Sequence, residues 1–117
     1  MMKEYIKSDF PLAYSDAVVI DKTIFVAGQG PDSLEVTVEE QIRQTIRNLE
    51  KVLSKVEASL KDLVKVTVIL NYDKITPQMF EEVYKDILTE PYPARTIIKS
   101  DIGFNVQIDA IAVKEKS

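Results

Sequence analysis

No cysteine, no histidine and no tryptophan occurs in this 117-residue chain, and glycine appears only three times. Without cysteine there is no disulfide, no thiolate nucleophile and no cysteine-based zinc site. Without histidine, the side chain that most often moves protons near neutral pH is missing. Any acid–base chemistry must therefore use Asp, Glu, Tyr, Lys or a bound water. A serine or threonine nucleophile would need a lysine or carboxylate partner, and no motif supplies one. No run approaches the roughly 18 apolar residues of a membrane span. The first residues, Met-Met-Lys-Glu-Tyr-Ile, lack the apolar stretch of a signal peptide. A net charge of −4 argues against nucleic acid as the main partner. The expectation is a cytoplasmic protein with neither nucleic-acid nor membrane partners.

What is present is a chain 45% hydrophobic, enough for one domain over residues 1–117 with one core. Residues 3–7 alternate weakly and predict a short edge strand, which Asp9-Phe10-Pro11 breaks. Two β-branched runs, 17–20 and 23–27, flank Asp21-Lys22 at the spacing of a tight hairpin. Gly28-Gln29-Gly30-Pro31 then marks a strand end. Thr37 and Glu40 read as a capping box opening a helix to about Ala58, with Val38, Ile42, Ile46, Leu49, Val52, Leu53 and Val56 on one face. A strand follows over 63–70, with Val64, Val66, Val68 and Leu70 facing one way. Thr76-Pro77 starts a second helix that Pro91 ends.

The stretch from Pro91 to Asp109 holds the last two strands. Pro91 and Pro93 favour an extended chain before Ala94–Lys99, where Arg95, Ile97 and Lys99 share one side. An arginine on an otherwise apolar strand needs an anion: either a carboxylate of this protein answers it, or a ligand does. On the final strand Val106, Ile108, Ala110 and Ala112 face one way, and Gln107 and Asp109 the other. The order β-β-β-α-β-α-β-β predicts an α+β fold, one mixed sheet with two helices on one face. Apolar side chains on both sheet faces, with helices for only one, predict an oligomer.

With these segments placed, the chain resembles the Rid family of reactive-intermediate deaminases, also called YjgF-like or RutC-like proteins. The resemblance runs through Tyr14-Ser15; Phe25-Val26-Ala27-Gly28-Gln29-Gly30-Pro31, where the family has S-G-Q-x-P; Glu40-Gln41-Ile42-Arg43-Gln44-Thr45 and Asn48-Leu49. It continues through Leu63–Val68, Glu82-Val83-Tyr84, Pro93-Ala94-Arg95-Thr96 and Ile108-Asp109-Ala110-Ile111-Ala112. It implies a chorismate-mutase-like fold and a homotrimer with clefts between subunits. The implied chemistry is hydrolysis of 2-imino or enamine acids to 2-keto acids and ammonia, with no cofactor and no metal.

By the same resemblance, Arg95 matches the arginine that binds the substrate carboxylate, and Tyr14 the cleft tyrosine. Four positions depart from the family pattern. Ala27 replaces the serine of S-G-Q, Glu81 an asparagine, and Ile97 a cysteine or other small residue. Gln107 replaces the acid proposed to position or activate water, and Asp109 matches a second family acid. Gln107 can orient a water but cannot take its proton. The implied catalytic residues are Arg95, Gln107 and Tyr14; Ala27, Gly28, Glu81, Ile97 and Asp109 complete the substrate-binding set. Glu81 either restores an acid to the cleft or is a solvated helix residue. The rival function is a non-enzymatic binder or sensor of small carboxylates in the same cleft. An isomerase of the chorismate-mutase type rests on fold alone, and ribonuclease activity ranks last.

Overall fold

A computed structural model describes residues 2–115. Six strands form one sheet in the order β1-β2-β3-β6-β4-β5: β1 (Lys3–Lys7), β2 (Ser15–Ile20), β3 (Thr23–Gln29), β4 (Leu63–Leu70), β5 (Ala94–Lys99) and β6 (Val106–Val113). All neighbours are antiparallel except β4 and β5. The parallel pair follows from the connection between them, which is the helix α2 (Pro77–Ile87). The other helix, α1 (Val38–Ser54), joins β3 to β4. The α+β reading, the element order and the mixed sheet all hold.

The core lies between the helices and one sheet face. Ile42, Ile46, Leu49 and Leu53 of α1 are buried against Ile24 and Val26 of β3, Val66 and Val68 of β4, and Ile108, Ala110 and Ala112 of β6. Each large aliphatic side chain buried this way contributes roughly 1.5–3 kcal/mol. Thr37 caps α1 by accepting from the Glu40 backbone N–H at 3.1 Å. The expected reciprocal half is absent; Glu40 Oε2 lies instead 3.6 Å from Arg47 Nη2. The helix ends at Ser54, four residues before the predicted limit. Glu57 takes a positive φ of 60°, and the Ala58 N–H returns to the Leu53 carbonyl at 2.9 Å. Val56 is buried in that turn, so its apolar spacing imitated a further helical turn. A complete capping box does occur at Ser59 and Asp62, ahead of β4.

Two bulges decide which side chains reach which face. On β4 the register slips between Leu63 and Lys65, so Leu63 is buried while Val64, expected on the side of Val66 and Val68, is 47% exposed. On β3 the slip falls between Val26 and Gln29, carrying the strand two residues beyond Ala27. The face away from the helices carries Phe25, Ile69, Ile98, Ile111, Gln107 and Asp109. Phe25 and Ile98 there are more than two-fifths exposed, at 43% and 44%.

Candidate functional site

Arg95 sits on β5, the outer strand of the sheet, opposite Val66 of β4 and therefore on the helix side. Its backbone lies on the open sheet edge, but its side chain is only 28% exposed. The guanidinium carbon stands 4.9 Å from the Tyr84 ring centre and 5.8 Å from that of Phe80, both on α2. Each ring face attracts the cation, and together they fix its plane. Glu81, one residue beyond Phe80 on α2, brings Oε1 to 2.7 Å from Arg95 Nη1. So a carboxylate of this chain does answer the arginine, and Glu81 is no freely solvated helix residue. The contact is a short ion pair rather than an aligned hydrogen bond.

Arg95, Glu81, Tyr84, Tyr92 and Pro93 line a cavity of about 260 Å³. Burial pushes the Tyr84 hydroxyl above its ordinary 10.0; Arg95 opposes the shift, while Glu81 and Tyr92 add to it. Tyr84 therefore keeps its proton at neutral pH. Ile97 also faces the helices and packs against the core, but it does not line this cavity. Lys99 lies further along the strand, 5.6 Å from the Tyr72 ring centre.

Gln107 is on the other side of the sheet. It pairs with Ile69 of β4, and its side chain lies over Gly28 in the β3 bulge. A Cβ on Gly28 would stand 2.6 Å from Gln107 Cδ and Nε2, so only glycine lets the amide lie there undisturbed. We expect Gly28→Ala to cost little stability, about 1 kcal/mol or less, because the end of a flexible side chain can move aside. The same substitution should displace the Gln107 amide and lower any activity that depends on it. Thermal denaturation and steady-state rates of the variant check both halves.

Asp109 shares this sheet face, opposite Thr67. Ala27 precedes the bulge, and its carbonyl accepts from Gln29 Nε2 at 3.0 Å. Tyr14 is 43% exposed beside an 830 Å³ cleft that Gly28, Gln29, Gly30 and Phe104 also line.

The single chain thus separates the residues that the resemblance groups together. Arg95, Glu81 and Ile97 are on the helix side near β5, whereas Gln107, Gly28 and Asp109 are on the opposite face. Gln107 does not stand near Arg95 within one copy, as a site in a single chain would require.

Two amides of α1, Gln44 and Asn48, hold the glycine loop, and a third, Gln41, holds the segment before β6; the resemblance includes all three without giving them a role. Gln44 Oε1 accepts the N–H groups of Asp32 and Ser33, at 2.9 and 3.2 Å. Asn48 Nδ2 donates to the Gly30 carbonyl and to Asp32 Oδ1, each at 2.9 Å. Gln41 accepts from Asn105 Nδ2, tying α1 to the segment before β6. Their spacing, 41, 44 and 48, is one helical stripe of amides, and that periodicity was the available signal. Among the described residues no group of three acidic side chains is placed to hold a metal.

Comparison with known proteins gives the family. Residues 9–114 match the family described as endoribonuclease L-PSP. A RutC family protein of Pyrococcus abyssi is 37% identical, over 98% of this chain and all of the relative. The 2-iminobutanoate/2-iminopropanoate deaminase of Rattus norvegicus is 33% identical, over 87% of this chain and 80% of that enzyme. Among solved structures, a candidate endoribonuclease of Thermotoga maritima superposes with a TM-score of 0.85 at 33% identity, covering 98% of this chain and 100% of its own. A YjgF protein of Neisseria meningitidis, 21% identical with a TM-score of 0.88 over 100% of this chain and 98% of its own, shares the fold. The chain belongs to the endoribonuclease L-PSP family, the YjgF/RutC/Rid group.

Proposed function

We propose that this protein hydrolyses 2-imino and enamine acids to 2-keto acids and ammonia, without a cofactor, in clefts that two copies complete within a homotrimer. One observation carries the reading. A guanidinium is fixed at the open sheet edge beside a small cavity, while the water-orienting amide lies over glycine on the opposite face. A second copy laid against that apolar face would bring the two halves together.

Arg95 would grip the substrate carboxylate, since its planar fork can donate two parallel hydrogen bonds. Gln107 would orient a water toward C2. The water oxygen adds to that carbon and its first proton goes to the nitrogen; the remaining hydroxyl proton follows as the C–N bond breaks, so ammonia leaves and the carbonyl forms. The rat relative bears the name of this activity. Imine hydrolysis has a low barrier, so carboxylate capture and one placed water can give rate without a strong base. No helix among the described residues is long and apolar enough to cross a membrane.

The binder reading is favoured by two positions. Gln107 has no titratable group, and Ala27 has no hydroxyl. The two readings part in one experiment. An amino-acid oxidase generates 2-iminopropionate or 2-iminobutyrate in situ, and its decay is followed with and without this protein. Acceleration is expected. Unchanged decay, with keto acids still bound, would leave the binder.

A further inference from the structure

Tyr84 Oη is buried without a hydrogen-bond partner among the described residues, and the only partner of Glu81 Oε1 there is the Arg95 guanidinium, as an ion pair at 2.7 Å. Both residues line the Arg95 cavity. Buried polar atoms are nearly always paired, so an orphan hydroxyl beside an ion pair on one small cavity points to something that fills it. Tyr84 is only 4% exposed, and its hydroxyl is both a donor and an acceptor. Glu81 has more freedom: its side chain is 46% exposed, and its contact with Arg95 lacks hydrogen-bond alignment. It can move a short way and still remain at the cavity.

We propose that Glu81 and Tyr84 make the Arg95 cavity a site for zwitterionic 2-amino or 2-iminio acids in preference to bare carboxylates. Arg95 and the Tyr84 hydroxyl hold the carboxylate, and Glu81 accepts the cationic N–H. This deepens the deaminase reading and rests on it for the reactive ligand, the protonated 2-imino acid.

Charge decides the preference. A bare 2-keto acid entering alone meets an arginine already neutralised at 2.7 Å, and must displace Glu81 or lie against it. Like charges brought that close repel, though solvent at the half-exposed Glu81 screens part of the repulsion. A zwitterion exchanges partners instead. Its carboxylate takes the arginine, its N–H group takes Glu81, and no charge is left unpaired. The Tyr84 hydroxyl, kept protonated by its burial, then has a carboxylate oxygen to donate to. The cavity volume of about 260 Å³ admits an acid of a few carbon atoms.

The test uses the assembled protein and two stable ligands of matched length, 2-aminobutyrate and 2-oxobutyrate, titrated by calorimetry. The wild type should bind the amino acid at least about fivefold more tightly than the keto acid. Glu81→Gln keeps the shape, removes the charge, and should reverse the order. Tyr84→Phe should weaken both ligands by about two- to tenfold, since it removes a donor to their shared carboxylate. It should leave the melting temperature unchanged or raised, because the orphan hydroxyl is gone. A wild type that prefers the keto acid, or a ratio that Glu81→Gln does not move, overturns the proposal. Imine decay is scored separately: an accelerated decay with an unmoved ratio sinks this proposal and spares the deaminase reading. Unaltered decay with the predicted ratio does the opposite.

Discussion

Gln107→Glu is expected to raise the rate of imine hydrolysis by at least about tenfold, within the ~10²–10⁴-fold that general-base help usually gives. Glutamate and glutamine have nearly the same shape, so the new carboxylate can occupy the place of the amide over Gly28. There it could take the proton that the attacking water sheds, which the amide cannot. In a completed cleft the facing Arg95 would keep that carboxylate ionised by attraction. Ala27→Ser in the same background should add a smaller increment by restoring a hydroxyl. Asp109 lies on the same face, so Asp109→Asn separates its contribution: wild-type activity should survive unless that acid already serves as base. Rates measured on in-situ imine for the four proteins check the series.

Arg95→Ala should weaken 2-keto acid binding by roughly ten- to a hundredfold, the 1.5–3 kcal/mol of hydrogen bonds to a charged group. The fold should survive. The side chain stands at the sheet edge, its contacts are with two ring faces and one carboxylate, and Glu81 is free enough to turn toward solvent. The stability cost should be about 1 kcal/mol. Arg95→Lys should rescue little, because an ammonium neither forks nor lies flat on Tyr84. Calorimetric titration together with thermal denaturation separates the outcomes. Unfolding on substitution, with no binding in the wild type, would make Arg95 a structural counter-ion to Glu81.

The fold was legible because periodicity and turn chemistry agreed along the chain. The β2–β3 hairpin closes on Asp21-Lys22 as its spacing implied, Ile20 opposing Thr23, with Asp21 taking the positive φ of 54°. Thr76 caps α2 with Pro77 at the first helical position, as that pair predicts. What escaped were single-residue slips. A bulge leaves no mark in hydrophobic alternation, so alternation groups Val64 with Val66 and Val68, and puts Gly28 in a turn rather than in a strand under Gln107.

The site was legible in part. An arginine among apolar residues announced a need for an anion, but the sequence could not say whether a ligand or this chain supplies it. Fourteen residues separate Glu81 from Arg95, and only the packing of α2 against β5 brings them together. Nor could alternation alone show that Arg95 and Gln107 take opposite sheet faces. That depends on register across β5, β4 and β6, where Arg95 pairs with Val66 and Gln107 with Ile69. The loop-holding role of the amides on α1 was not legible, because a polar stripe on a helix usually faces water.

The separation of Arg95 from Gln107 gives the central claim its sharpest test. Arg95→Ala and Gln107→Ala chains are purified separately, each nearly inactive on in-situ imine, then unfolded together, refolded as a mixture and assayed. If two copies share each cleft, one copy can supply an intact Arg95 and its neighbour an intact Gln107. About one cleft in four should then be whole in an equal mixture of trimers, restoring about a quarter of the wild-type rate. A mixture no more active than its two parents would mean that one chain holds the complete site, and would contradict the shared cleft.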